Sequence, residues 1–326
     1  MGELKAGDEG GEEQHQQTDG ERMLNEIAQQ KEMLNAMPGD SRPGICAKAP
    51  HANKLGQLEF RYQLVIEKER LSSVLAKFEE EHGVLYSEPC PICLEDIHFR
   101  ASERLTEVFT CCGGFMCKIC ALDIYERLGR LGLGKCPLCR ENFSDEVAKD
   151  MALAKRGVLW AQANLGRRMV YGMGGIEKQE KPGLVWLNKA AAHNHPGALY
   201  TLAALYNHGM GSVLQKSKEK ANELMTKSAN LGYAAANSSL AIWCFHGTRD
   251  GFENNQEEAY LRASIAFAID ESSVEAADLL GRLHYCGEKI TPKPSPYLAC
   301  YYLNMAANSD YDDGSACFVY NQELKN

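Results

Sequence analysis

Apolar positions in the C-terminal half of the chain recur at helical spacing, and a longer period is superimposed on them. Four segments align: LGRRMVYG from Leu165, LAALYNHG from Leu202, LAIWCFHG from Leu240 and LGRLHYCG from Leu280. Successive leading leucines are 37, 38 and 40 residues apart. Each segment opens on Leu followed by Gly or Ala and closes on a Gly seven residues after the Leu. A second pattern trails each of them: WLNKAA from Trp186, LMTKSA from Leu224, YLRASI from Tyr260 and YLNMAA from Tyr302. No strand-like alternation interrupts. A period of this length predicts a helical hairpin repeated four times and stacked as a solenoid. The small residue after the Leu lets two helices approach closely, and the closing Gly suits a helix C-terminus where φ is positive.

The N-terminal half is patterned differently. Residues 1–20 are rich in Gly, Glu and Gln and predict a disordered acidic tail. Met23, Ile27, Leu34 and Met37 give one short helix over 20–37, which Pro38 and Gly39 stop. Pro38, Pro43 and Pro50 mark 38–54 as linker. Leu58, Tyr62, Val65, Leu71, Val74, Leu75 and Phe78 predict an amphipathic helix over 55–82, too short for a coiled coil and expected to pack within its own chain. The expected organisation is a tail with a short helix at 1–54, an amphipathic helix at 55–85, a cysteine-rich module at 86–145 and the solenoid at 146–326. The fold class is mainly α.

Charge and composition narrow the function. Lys and Arg total 35 against 44 Asp and Glu, a net charge of −9. Residues 1–50 hold 5 basic and 10 acidic side chains, and 146–326 hold 18 and 19. Nothing supplies the basic face that a nucleic-acid binder uses to replace phosphate counterions. No run approaches the ~18 apolar residues that span a bilayer. The first residues lack the apolar core of a secretory signal, and Ala6 stands where myristoylation would want Ser or Thr. The expectation is a cytoplasmic or nuclear protein. Neither a Gly-x-Ser-x-Gly elbow nor a His-Glu-x-x-His helix is present.

Eight of the 13 cysteines lie between residues 90 and 139. They run Cys90-x₂-Cys93-x₁₇-Cys111-Cys112-x₄-Cys117-x₂-Cys120-x₁₅-Cys136-x₂-Cys139. In a reducing compartment such a cluster points to metal rather than disulfides. Eight thiolates suffice for two closed, four-coordinate, structural zinc ions. A Cys-x-x-Cys turn places two sulfurs on one side of a tight loop, and a module of some 55 residues has too small a core to dispense with such staples.

The order of these cysteines, with CPICLEDI at the start and CPLCR at the end, resembles a RING-type zinc finger. The resemblance implies interleaved ligation: Cys90, Cys93, Cys117 and Cys120 on one zinc, Cys111, Cys112, Cys136 and Cys139 on the other. It departs from the family at Gly114, where His is usual; Cys111 would supply the missing ligand, with Gly113 and Gly114 permitting the turn, and His98 is a rival donor. The family has no nucleophile of its own. It holds a ubiquitin-charged conjugating enzyme in an attack-ready arrangement. Carried over, Ile92, Pro137 and Leu138 would contact that enzyme. Arg140, whose planar fork can donate to two partners, would bridge it to ubiquitin. Ile124 or Tyr125, in the helix after Cys120, would border the groove.

The C-terminal period resembles Sel-1-like repeats, on the Leu-Gly/Ala…Gly turn and the Ala-rich second helix. That resemblance implies a protein-binding scaffold which recruits a substrate or a complex. Trp186, Tyr206, Trp243 and Tyr260 are then interhelical core. His208, His246 and His284 are equivalent repeat positions rather than a site. Cys244, Cys286, Cys300 and Cys317 are small buried apolar residues. The functional expectation is a RING-type ubiquitin ligase; the alternative is a non-enzymatic adaptor whose zinc finger is a structural interaction module.

Overall fold

The computed structural model describes residues 19–37, 42–85, 87–98, 101–102, 104–132, 135–141, 146–247, 251–287 and 293–307. The acidic tail before Asp19 and Cys317 lie outside the described residues. The chain forms two compact units, one ending at Glu69 and the other beginning at Arg70.

The first unit holds helix α1 (Asp19–Ala36) and the first part of α2 (Arg42–His82). The segment expected to be linker is therefore helical from Arg42 onward. Pro43 falls in the first turn, where its missing N–H would have had no intrahelical partner. Pro50 lies inside the helix and removes one hydrogen bond. Side chains beside it tie the two helices together: Gln30 Nε2 lies 2.7 Å from His51 Nδ1 and Lys31 Nζ 2.9 Å from Glu59 Oε1.

In the second unit the rest of α2 packs on the repeats. Val74, Leu75 and Phe78 join Leu85, Ala101, Ala234, Ile265 and Ile269 in one core. Arg70 donates to Ser264 Oγ at 3.0 Å and lies over the Tyr260 ring. This is packing within the chain, as the length of the apolar stripe predicts. The cysteine module follows, with two antiparallel ribbons, β1 (Glu88–Pro89) with β2 (Asp96–Ile97) and β3 (Thr106–Val108) with β4 (Phe115–Cys117), and helix α3 (Lys118–Gly132).

Helix α4 (Glu146–Lys155) leads into four hairpins: α5 (Leu159–Tyr171) with α6 (Glu180–Ala192), α7 (Pro196–His208) with α8 (Lys218–Asn230), α9 (Ala234–His246) with α10 (Gln256–Ile269), and α11 (Val274–Cys286) with α12 (Pro296–Ala307). The residue after each leading Leu is where the hairpin partners meet most closely. A Cβ on Gly166 would lie 2.9 Å from Gly183 O and 2.8 Å from Leu187 Cγ, and one on Gly281 would lie 2.7 Å from Leu303 Cγ. Ala203 and Ala241 fill the same place in the middle repeats and are buried. Pro296 opens α12, where proline is tolerated.

Three details depart from the sequence reading. The closing Gly has positive φ at Gly172, Gly209 and Gly247, but at Gly287 φ is −70°. There the requirement is for space: a Cβ would meet Leu283 O at 2.3 Å. The three histidines are not equivalent. His208 and His246 are exposed at helix ends, whereas His284 is buried two positions earlier in its repeat. Ser295 N donates to its Nδ1 at 3.3 Å, which leaves Nε2 as the N–H facing Tyr260 Oη at 3.1 Å. Finally, Cys286 is exposed and Cys300 half-buried, so only Cys244 of the described three is a buried apolar residue. Of the aromatics, Tyr260 is buried; Trp186, Tyr206 and Trp243 are half-buried.

Candidate metal centres

The module contains the same local structure twice. In Cys90-Pro91-Ile92-Cys93-Leu94-Glu95, the N–H of Leu94 donates to Cys90 O at 2.9 Å and that of Cys90 to Glu95 O at 2.9 Å. In Cys136-Pro137-Leu138-Cys139-Arg140-Glu141, Arg140 N donates to Cys136 O at 2.8 Å and Cys136 N to Glu141 O at 2.7 Å. Leu94 and Arg140 occupy the same left-handed position, with φ of 64° and 61°. Non-glycine residues are uncommon there. The strain is held by a turn that closes on itself at both ends.

Of the other four cysteines, three come from the β3–β4 hairpin and one from α3. The hairpin loop carries Cys111 and Cys112, and its far end carries Cys117, one turn before Cys120 in α3. Gly113 takes φ of 76° in that loop, and its N–H donates to Phe109 O at 2.8 Å. The hairpin therefore sends its tip to one knuckle and its base to the other. Cys90, Cys93, Cys117 and Cys120 form one cluster and Cys111, Cys112, Cys136 and Cys139 a second, with the Sγ atoms of each within 4.8 Å of one another. Between the clusters Phe109 and Met116 are buried with Ile97 and Ala121.

The sulfur spacing suits a tetrahedral ion. Cys93 Sγ lies 3.8 Å from Cys117 Sγ, Cys112 Sγ 4.0 Å from Cys136 Sγ, and Cys139 Sγ 3.4 Å from Cys111 Sγ. A tetrahedron with bonds of ~2.3 Å has edges of about 3.8 Å. Backbone N–H groups already point at the sulfurs: Cys117 N at Cys90 Sγ (3.4 Å), Cys120 N at Cys117 Sγ (3.3 Å) and Gly114 N at Cys112 Sγ (3.4 Å). Acidity diverges within each set. Burial pushes the Cys90 thiol up, but the N–H groups of Cys117, Cys93 and Ile92 outweigh it and hold it at about 6. Cys139 is lowered, chiefly by the backbone N–H of Glu141. Cys111, Cys112 and Cys117 are raised, burial first, and Cys120 is pushed up to about 12 by its sulfur contact with Cys117. Cys90 and Cys139 give up a proton more readily than a free thiol, while Cys111, Cys112, Cys117 and Cys120 resist losing theirs. Each set could hold a metal ion, whose charge would remove that resistance.

His98 stands in neither set, and its Nδ1 is buried without a hydrogen-bond partner among the described residues. At Gly114 a Cβ would lie 2.7 Å from Leu138 Cδ1 and 3.3 Å from Cys112 Sγ, so Leu138 packs where a side chain at 114 would stand. Of the expected contact residues, Ile92 is 52% exposed and Arg140 exposed, while Pro137 and Leu138 are half-buried. Ile124 and Tyr125 pack against the module core, and Tyr125 Oη donates to Glu107 at 3.4 Å. Among the described side chains of α3, Ile119 and Leu122 are exposed apolar residues.

Sequence reading also missed a joint between the module and the repeats. Ser102 Oγ donates to Asp270 Oδ2 at 2.5 Å, Ala234 N donates to Ala101 O at 2.9 Å, and Arg104 Nη1 donates to Ser272 O at 2.9 Å. Asp270 and Ser102 are both buried. No pattern marks these residues, because their partners are 133 to 168 positions away and carry no motif.

The Sel1 repeat model matches residues 161–195, 196–233 and 274–311, so the chain carries Sel1 repeats. The α9–α10 hairpin lies outside those matches and has the same helix–turn–helix form. Two curated relatives are the E3 ubiquitin ligase TRIM40 of Homo sapiens and of Pan troglodytes. Each is 36% identical over 73 residues, 22% of this chain, and the match spans about a quarter of their length, 24% and 27% respectively. Among solved structures, a Sel1 repeat protein from Oxalobacter formigenes is similar at 20% identity, over 55% of this chain and 78% of that one, with a TM-score of 0.44. The protective antigen c5321 of uropathogenic Escherichia coli is similar at 25% identity, over 51% of this chain and 34% of that one, with a TM-score of 0.41. No helix among the described residues is long and apolar enough to cross a membrane.

Proposed function

We propose that the chain is a RING-type ubiquitin ligase, with a module at 86–145 that engages a ubiquitin-charged conjugating enzyme and repeats at 146–326 that hold a protein substrate or complex. The observation that carries this reading is the interleaving of two four-cysteine sets with exposed residues, Ile92 and Arg140, on the two matching knuckles. Zinc suits all-thiolate tetrahedral sites, and its work here is structural: it would fix both knuckles at the ends of the hairpin. Cys90, Cys93, Cys117 and Cys120 would hold one ion and Cys111, Cys112, Cys136 and Cys139 the other. Ile92 and Leu138 would offer apolar contact to the enzyme. Arg140, which the left-handed turn holds out from the second knuckle, would donate from one guanidinium to both enzyme and ubiquitin. The family name of the curated relatives, an E3 ubiquitin ligase, agrees. Action in the cytoplasm or nucleus follows from this reading.

The test follows thioester loss from a panel of ubiquitin-charged conjugating enzymes with free lysine and the zinc-loaded protein. Acceleration that Arg140→Ala removes, with both zinc ions retained, is expected; no acceleration across the panel overturns the proposal. One observation favours a second reading. The module is bonded to the third and fourth repeats through Ser102, Ala101 and Arg104. A non-enzymatic adaptor, in which the module is a structural part of the scaffold, would need that joint and would be indifferent to Arg140→Ala.

A further inference from the structure

A groove that the ligase reading does not use runs where the end of α2, the turn between α6 and α7, and helix α8 meet. It has two compartments, of about 580 and 160 Å³, which share His82, Asn194, Asn230 and Leu231. Asn230 is half-buried, and its Oδ1 is buried with no hydrogen-bond partner among the described residues. A native chain leaves few such acceptors, because each one is costly. Its Nδ2 has no partner there either but is not buried, so the amide turns its N–H groups toward the groove. Asn194 stands just before the N-cap of α7, at φ of 56°. The turns leading into α5 and α9 have Gly157 and Gly232 at that place, with φ of 89° and 78°. This conformation favours glycine, and here the chain carries an amide instead. That amide is exposed and has no partner among the described residues.

We infer that this groove holds an extended segment of a partner protein, gripped by its main chain at Asn194 and Asn230 and by one apolar side chain in the smaller compartment. A carboxamide carries the same donor and acceptor as a peptide group, so it pairs with a main chain whatever the sequence. Only an extended segment leaves its own N–H and C=O groups free for this. Pairing would also give Asn230 Oδ1 the donor it lacks, after a small rotation of the amide. The smaller compartment supplies the anchor. Val84, Leu85, Ala101 and Pro196 line it, and Val84 is 84% exposed. A cavity of roughly 150 Å³ admits a benzene-sized group. Charge does not select the ligand: Glu223 and Lys227, four residues apart on α8, line the larger compartment with opposite signs. None of the described residues lining the groove is Trp, Tyr or Phe, so it has no such ring face for a stacked base or a cation. The chemistry that fits is an uncharged segment with one apolar anchor. This deepens the reading that the repeats hold a protein and rests on that part of it. Peptide binding needs no conjugating enzyme, so its failure is distinct from a failure of ligase activity.

The test pans a phage-displayed library of random eight-residue peptides on the full-length, zinc-loaded chain and measures the enriched sequences as synthetic peptides. Peptides without net charge that share one apolar residue should be enriched, and their affinity should change little between low and high salt. N-methylation of the main-chain amides that face the asparagines should abolish binding. Asn194→Gly gives this turn the residue that its two neighbours carry, so it should leave the fold intact and weaken binding about tenfold, the scale of a hydrogen-bonded amide. Val84→Asp, at an exposed position, should weaken it by at least as much. In the unaltered chain, bound peptide should shift the side-chain NH₂ signals of Asn194 and Asn230. The signal of Asn188, which is bonded to Leu184 O at 2.8 Å, should stay in place. Should a variant fold poorly, these signals decide. Failure to enrich any peptide, enrichment of charged peptides whose binding falls steeply with salt, or binding that leaves both amide signals unshifted overturns the inference.

Discussion

Asp270 is one of the residues through which the cysteine module is held to the repeats, and removing its carboxylate gives a worked prediction. The side chain is 2% exposed and accepts three hydrogen bonds, from Ser102 Oγ at 2.5 Å, Ser272 N at 3.0 Å and Ser272 Oγ at 2.6 Å. Hydrogen bonds to a charged group contribute about 1.5–3 kcal/mol each. Two of the three are local, and exposed Ser272 can turn to water once they are lost. The Ser102 hydroxyl is 7% exposed and cannot. Relief of the buried charge works in the opposite direction. The balance is a loss of about 2–3 kcal/mol for Asp270→Ala, confined to the joint, which raises its local opening roughly 30–150-fold. The Ala234 amide reports this, because its partner is Ala101 O in the module. Amide exchange followed by NMR should speed up by that factor at Ala234 and hold at Leu187 inside α6, with exposed Glu271→Ala as the control. An unchanged rate at Ala234 would refute the claim that Asp270 helps to hold the joint.

Further outcomes follow from the same contacts. Gly166→Ala forces a Cβ against Gly183 O and Leu187 N, which should cost about 1–3 kcal/mol of overpacking against up to about 1 kcal/mol gained in helix propensity. Gly56→Ala meets nothing within 4 Å and should keep that gain. The two variants should therefore shift the denaturation midpoint in opposite directions. Titration with Co²⁺ should show two thiolate-bound ions per chain, and Cys111→Ser should weaken only the second. Binding must displace protons from the thiols held high, such as Cys120 at about 12, so affinity should fall as pH falls and calorimetry in different buffers should detect the released protons. His284→Phe removes the acceptor of the Ser295 N–H and a hydrogen bond of the Tyr260 hydroxyl and should lower stability by about 1–3 kcal/mol, with no effect on metal content.

The sequence by itself determined whatever rests on local spacing. A period of 37–40 residues fixes a helical hairpin, because one hairpin cannot bury its apolar face alone and its neighbours must repeat the pattern. The small residue after each Leu was legible for the same reason: it reports how close two adjacent helices come. The knuckles were legible too, since Cys-x-x-Cys closes within six residues. Local signals also misled where a second constraint acted. Prolines marked 38–54 as linker, yet α2 begins at Arg42 with its prolines at one tolerated position and one interior one. A shared His suggested equivalent positions, yet packing against Tyr260 and Tyr302 buries His284 alone. Only the tertiary structure decided which residues face across long separations. Ser102 and Asp270 have no motif, and neither do Arg104 and Ser272. Such pairs arise because the hairpin of the module and the ends of the repeats are brought together by burial, and burial is a property of the packed whole rather than of any window of sequence.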